Sequence, residues 1–319
     1  MNGAQNNVKR VLFIEPQPFF SNRGSPFRAK ATVNALVELG YEVDLLVYPF
    51  GEDISLPGVT VHRSLRPLWI KDVRIGPSWA KVCLDVLLAV KAFMLVRRQR
   101  YVMIHGVEEA VLIAWLLGSW KRIPYIMDMH SCMPEQLAAH PWLGLRPFMK
   151  LAYRFEGFCA RRAAGIQTVS DVITERSQRL APHVPAVTVE DIALDDCTPD
   201  VQQVESLRRE FKLEGRKVVV YTGNLAQYQG VELLIEAFGR LHAMAGESDV
   251  VRKSMLLLVG GGPEAGGRIA ELEALAAKWN VQGQVIFAGE RPVVEMGSFM
   301  ALADVLVSPR AFGAHTPLK

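Results

Sequence analysis

Apolar and polar positions along the chain fall into two alternating signatures. Short aliphatic runs at residues 11–14, 42–48, 59–63, 102–105, 125–129 and 165–169 predict strands. Between them, residues 29–39, 79–96, 109–119 and 148–164 carry apolar side chains at helical spacing and predict helices. Gly40 closes the first of these helices, and Ser170 is placed to cap another. Periodicity then disappears in PHVPAVTVEDIALDDCTPD, residues 182–200, whose Pro and Asp content predicts a linker with a domain boundary near 192–195. A second series follows. Strands are predicted at 218–222, 255–259, 285–288 and 304–307, and helices at 201–211, from 231, at 268–279 and at 296–301. Strands that alternate with helices imply parallel sheets. The expected architecture is α/β, in two domains, 1–192 and 193–319.

The clearest single unit is VVVYTGNLAQYQGVELLIEAF, residues 218–238. Gly223 ends its strand, Gly230 ends its loop, and Leu234, Ile235 and Phe238 recur at helical spacing. A helix start reached through glycines suits a phosphate, because its first N–H groups have no partner within the helix. An ordinary βα unit of any α/β protein carries the same pattern. The first strand likewise opens into a Pro-, Gly- and Ser-containing loop, 15–28. There Gly24 permits close backbone approach, and Arg23 and Arg28 are placed to meet an anion, or else are plain surface arginines. The strand 125–129 runs into DMHSCMPEQL, so Asp128 and His130 stand at the C-terminal end of a parallel strand, where open α/β sheets bind ligands. They form a candidate catalytic pair, with His130 carrying a proton or a hydrogen bond to a reacting sugar or phosphate. A structural histidine is the plainer alternative. A metal site lacks a third ligand at a recognisable spacing. Gly260, Gly262 and Ala265 fit a dinucleotide fingerprint only loosely, with Pro263 inside it.

Composition sharpens this only in part. Half of the 319 residues are hydrophobic and 22% are charged, a globular balance. The net charge of +3 gives no basis for nucleic-acid binding. The charge is uneven, however: residues 1–191 carry 23 Lys and Arg against 17 Asp and Glu, and the remainder 13 against 16. A basic first half, with an apolar helix near Trp79 that ends in Arg97, Arg98 and Arg100, is compatible with a membrane surface as well as with an ordinary solvated one. The four cysteines are scattered, which argues for a reducing compartment. No signal peptide or spanning segment is recognised, and the expected location is cytoplasmic. Thr316 and Pro317 read as the start of a helix just where the sequence stops, so a C-terminal truncation is expected.

These pieces together resemble one family. YIMDMHSCMPE, TVSD, YTGNLAQYQGVELLIEAF, LLLVGGGPE, VIFAGE, ADVLVSPR and TPLK occur in the order found in family 4 retaining glycosyltransferases. The resemblance implies a GT-B fold, two Rossmann-like domains facing across a cleft, the second one incomplete here. It implies sugar transfer from a nucleotide sugar to a glycan or lipid-linked acceptor, with retention and with no cofactor or metal. His130 matches the family histidine near the donor sugar. Gly24, Ser25, Gly223, Asn224, Gln229, Gly261 and Gly262 match the donor-phosphate side, and Glu290 and Arg291 the nucleobase side. Many relatives carry Arg and Lys where Asn224 and Gln229 stand. A leaving diphosphate needs cations or N–H donors, so Arg310, Lys319 and the helix start at Thr316 are the expected replacements. Arg23 and Arg28 are assigned to the acceptor. A nucleotide-sugar epimerase of the same fold and an inactive nucleotide-binding fragment are the alternatives.

Overall fold

The structure is a computed structural model, and it describes residues 9–19, 24–71, 78–132, 134, 145–190, 198–246, 248–261 and 265–310. The chain divides into two compact units, Met1–Ile192 and Ala193–Gly313.

The first unit is built on a seven-stranded sheet. Its strands are β1 (Arg10–Glu15), β2 (Glu42–Val47), β3 (Val59–Arg63), β4 (Met103–Val107), β5 (Tyr125–Met129), β6 (Gly165–Thr168) and β7 (Ala186–Thr188). They lie in the order β3-β2-β1-β4-β5-β6-β7. Every pairing is parallel. The order reverses between β1 and β4, which opens a crevice at their C-terminal ends. β1 shows why the sheet is covered on both faces. Leu12 and Ile14 join one core and Phe13 the other, all fully buried.

Among the described residues the helices include α1 (Gly24–Glu38), α2 (Trp79–Arg98), α3 (Val111–Lys121), α4 (Arg146–Ala160) and α5 (Asp171–Leu180). Ala29 and Val33 of α1 cover one face with Phe13, Leu45 and Val107. Leu84, Leu88 and Ala92 of α2, Ala114 and Leu117 of α3 and Cys159 of α4 cover the other. Ser78 caps α2 by accepting from the N–H of Lys81 at 3.2 Å.

Two local expectations are corrected. α1 begins at Gly24, five positions earlier than the apolar periodicity indicates, so Gly24 and Ser25 open a helix rather than lie in a loop. Pro26 allows this, since proline is tolerated in a first helical turn. The stretch 182–200 is also not all linker. Residues 186–188 pair with β6, Ile166 opposite Ala186, and the Pro185 carbonyl accepts from Ile166 N–H at 2.9 Å. Proline at a strand's start leaves the carbonyl side of the ladder intact.

The second unit holds β8 (Val218–Thr222), β9 (Met255–Val259), β10 (Val285–Gly289) and β11 (Val305–Leu306) in the parallel order β10-β9-β8-β11. Its helices are α6 (Val201–Glu210), α7 (Val231–Ala243), α8 (Asp249–Arg252), α9 (Ala265–Lys278) and α10 (Met296–Ala301). β9 is buried at all five positions, as a central parallel strand should be. Leu234, Ile235, Phe238 and Leu272 pack on one face, and Leu207, Phe299 and Leu302 on the other.

Candidate functional site

Polar side chains gather at the C-terminal ends of β4 and β5 in the first unit. Asp128, fully buried near the end of β5, is the hub. Its Oδ2 lies 2.9 Å from His105 Nε2, and Gln167 donates to the same oxygen at 3.4 Å. Its Oδ1 stands 3.6 Å from the Arg28 guanidinium and 3.5 Å from His130 Nε2. Arg28, on α1, also donates from Nε to His130 Nε2 at 3.1 Å and from Nη1 to the Val189 carbonyl at 2.7 Å. The sequence places Arg28 toward an acceptor. The structure buries it and directs its guanidinium at the protein's own groups.

The electrostatics follow from this arrangement. Burial on its own would raise the Asp128 carboxyl, but the charge of His130 and the hydrogen bond from His105 drive it well below the usual range, so it stays ionised. Burial on its own would lower His130, but the charge of Asp128 and the bond to it, with Glu15 and Glu108 adding to the field, push it up to about 9. A proton on Nε2 and the Arg28 donor compete for one lone pair. His130 therefore has two bonding patterns, protonated toward Asp128 or proton-free beneath Arg28.

Three neighbours carry no motif that marks them in the sequence. His105 is buried and stacked on Phe13 with ring centroids 4.3 Å apart. Its signal was a lone imidazole in an otherwise apolar strand. Glu15 is fully buried at the end of β1. Glu108 follows β4 with φ +48°, a left-handed conformation rare outside glycine, and accepts from Ser131 Oγ at 2.7 Å. Such strain is held where the surroundings over-determine it, often at functional sites.

In the second unit the strand ends form a tier of glycine turns. Gly223 N–H donates to the Val259 carbonyl and Gly260 N–H to the Gly289 carbonyl, each at 2.9 Å. Gly260, at φ +145°, has no room for a Cβ, which would fall on the Gly223 carbonyl oxygen. A Cβ on Gly261 would come within 3.1 Å of Glu290 Cβ, so these two expected donor residues are neighbours. Asn224 shapes the turn: its Oδ1 accepts from Ala226 N–H at 3.1 Å, and its carbonyl accepts from Tyr221 Oη at 2.6 Å. Gln229 lies in a short 3₁₀ turn that ends at Gly230. Gly230 opens α7 at φ +73° without a side-chain cap, and a Cβ there would lie 2.5 Å from the Pro309 carbonyl and 3.6 Å from Arg310 Cα. The backbone bearing Arg310 thus runs beside the α7 N-terminus. Arg291 is turned to the Ala288 carbonyl at 3.1 Å and to Glu210 at 2.6 Å. Arg23, Gly262, Thr316 and Lys319 lie outside the described residues, as does the side chain of Ser25.

Among the described residues no cluster of three or more His, Cys, Asp or Glu is arranged to hold a metal ion. No helix among them is long and apolar enough to cross a membrane.

Two parallel α/β sheets with polar groups and glycine turns at their C-terminal strand ends define a protein of the Rossmann-like α/β class. The glycosyl transferase 4-like domain family matches residues 23–192, and the glycosyl transferases group 1 family matches 203–318. The chain belongs to the glycosyltransferases that join a 4-like domain to a group 1 domain. It is similar to the alpha-D-kanosaminyltransferase of Streptomyces kanamyceticus, with 25% identity over 246 residues. That match takes in 74% of this chain and 60% of the length of that relative. Solved structures with the same fold include sucrose-phosphate synthase from Thermosynechococcus elongatus, with a TM-score of 0.74 at 17% identity, covering 97% of this chain and 77% of that one. The catalytic domain of starch synthase IV from Arabidopsis thaliana, bound to ADP and acarbose, gives 0.69 at 12%, covering 98% and 80%. Anabaena HepE in complex with UDP-glucose gives 0.63 at 15%, covering 95% and 76%. At these identities the likeness is one of fold, two α/β parallel-sheet domains of the GT-B type.

Proposed function

We propose that the protein transfers a sugar from a nucleotide-sugar donor to a glycan or lipid-linked acceptor, with retention of configuration and without a bound metal. The observation that carries this reading is the match of both halves of the chain to glycosyltransferase domains, with His130 held at the strand ends by Asp128 and Arg28. His130 then meets the reacting sugar. Asp128 and Arg28 act through it as positioning residues, since both are buried.

On the second unit the donor diphosphate sits at the α7 start. The helix N-terminus offers N–H groups to it. Arg310 supplies charge in place of the Arg and Lys replaced by Asn224 and Gln229, an assignment supported by its backbone position beside Gly230. Lys319 and the Thr316 region extend the same role. One preorganised donor at such a site contributes about 3 kcal/mol, so the loss of both family cations needs a replacement. Nucleotide sugars complexed with fold relatives, UDP-glucose in Anabaena HepE among them, support a nucleotide sugar here.

The test is incubation with a panel of nucleotide sugars, with and without acceptor, followed by chromatography and by NMR of the product's anomeric proton. Transfer with retention, abolished by His130→Ala, is the expected result. Sugar interconversion without acceptor would replace this reading with an epimerase. Nucleotide binding with no turnover would leave only a binding module.

A further inference from the structure

One outer surface of the first unit is unlike the rest of the molecule. α2, α3 and α4 lie side by side on the same face of the sheet. Phe93 stacks on Trp120 with centroids 5.1 Å apart, joining α2 to α3, and Trp115 meets Phe158 edge-on at 4.9 Å, joining α3 to α4. Each helix buries one stripe in the core and exposes a second apolar stripe outward. On α2 this stripe is Val82, Val86 and Val90, ending at Phe93. On α3 it is Leu112, Leu116 and Trp120, at a spacing of four. Phe148 and Leu151 continue it on α4. A contiguous exposed apolar surface on this scale marks a docking site.

The charge on this surface identifies the partner. Among the described residues, every charged exposed side chain of the three helices is basic: Arg97 and Arg98 on α2, Lys121 on α3, and Arg146, Lys150 and Arg154 on α4. The acids these helices carry are turned away. Asp85 is bonded to Tyr48, and the buried Glu156 is bonded to Arg176. Other helices do not share the pattern. α5 exposes Asp171 and Glu175, and α9 exposes Glu271 and Glu273. The cations also edge the apolar stripe itself. Lys121 Nζ sits 4.3 Å over the Trp120 ring, and the Arg97 guanidinium 5.7 Å from the Phe93 centroid. Aromatic and aliphatic groups framed by Lys and Arg, with no acid among them, match the interface of an anionic bilayer.

We propose that the α2–α3–α4 surface docks the protein on an anionic phospholipid bilayer, with the apolar stripe entering the headgroup boundary and the basic side chains meeting lipid phosphates. This does not depend on sugar transfer, so it fails or stands separately from the proposed activity.

The test is co-sedimentation of the 319-residue chain with vesicles of phosphatidylcholine alone or of phosphatidylcholine with phosphatidylglycerol. Binding to the anionic vesicles, weak binding to the neutral ones, and loss of binding as salt rises from about 0.1 M to about 0.5 M is the expected pattern. Each cation near an anionic surface strengthens binding by roughly fivefold. The pair Arg97→Glu and Arg98→Glu should therefore weaken it by at least about 25-fold. Leu116→Ser with Trp120→Ser should weaken it on both vesicle types. As a readout on the unmutated surface, brominated phosphatidylglycerol should quench tryptophan fluorescence, and Trp120→Phe should reduce that quenching. Failure to sediment with either vesicle would overturn the proposal, as would binding that charge reversal leaves unchanged. A dimer in sedimentation velocity that Leu116→Ser with Trp120→Ser dissociates, with no vesicle binding, would assign the surface to a second copy of the chain instead.

Discussion

Asp128 touches His105, Arg28, Gln167 and His130 from one buried carboxylate. Substitutions around it have effects whose signs can be worked out. Asp128→Asn removes the main cause that raises His130 and leaves burial, which lowers it. The proton affinity of His130 should fall from about 9, as followed by NMR titration of its imidazole. Arg28→Ala should move it the other way, because a competitor for Nε2 is gone. The same variant takes one of several partners from the buried Asp128 charge and the Arg28 donor from the Val189 carbonyl, and should cost about 2 kcal/mol in denaturant melts. The linkage also has a definite direction. The His130 pKa is raised on folding, so its contribution to stability is full below about 6.5 and is lost as pH rises through about 9. Asp128 is depressed, so its contribution holds above about 4 and is lost on acidification.

At the scale of elements, boundaries depend on single contacts. The Ser78 side chain satisfies one N–H at the start of α2. Ser78→Ala should destabilise the first unit by about 1 kcal/mol, measured in urea. The turn after β9 depends on a missing side chain. Gly260→Ala forces a Cβ onto the Gly223 carbonyl at φ +145°, so it should destabilise the second unit by at least about 2 kcal/mol. Because that turn also shapes the loop bearing Asn224, the variant should weaken nucleotide binding even where it folds. The element-level misreadings have physical causes. Periodicity begins α1 only at residue 29 because GSPF lacks an apolar stripe. β7 is illegible in the sequence because three residues between prolines and acids carry too little pattern to outweigh their surroundings.

At the scale of the whole molecule, a ligand that binds only the folded state stabilises it by mass action. A nucleoside diphosphate at about 100 times its Kd should add about 2.7 kcal/mol and raise the Tm accordingly. Arg310→Ala should reduce that shift, whereas Arg291→Ala should reduce it less, because Arg291 is engaged with Glu210. Equal shifts for the unmodified protein and Arg310→Ala would remove Arg310 from the donor site.

The periodicity of the chain was enough to determine that it builds two parallel α/β sheets, because fully buried strands read as continuous aliphatic runs and their covering helices carry apolar residues at helical spacing. It also placed Asp128 and His130 at a strand end, since they stand at the close of such a run. What surrounds them was decided only in three dimensions. His105 is 23 positions from Asp128 and Arg28 is 102 from His130, and no local pattern relates positions so far apart. The direction of Arg28, inward rather than toward an acceptor, was likewise a tertiary outcome, because a guanidinium goes where buried carboxylates and carbonyls repay its desolvation. The outward apolar stripe of α2 and α3 was present in the sequence as hydrophobicity, but only packing showed which half of each helix the core leaves uncovered.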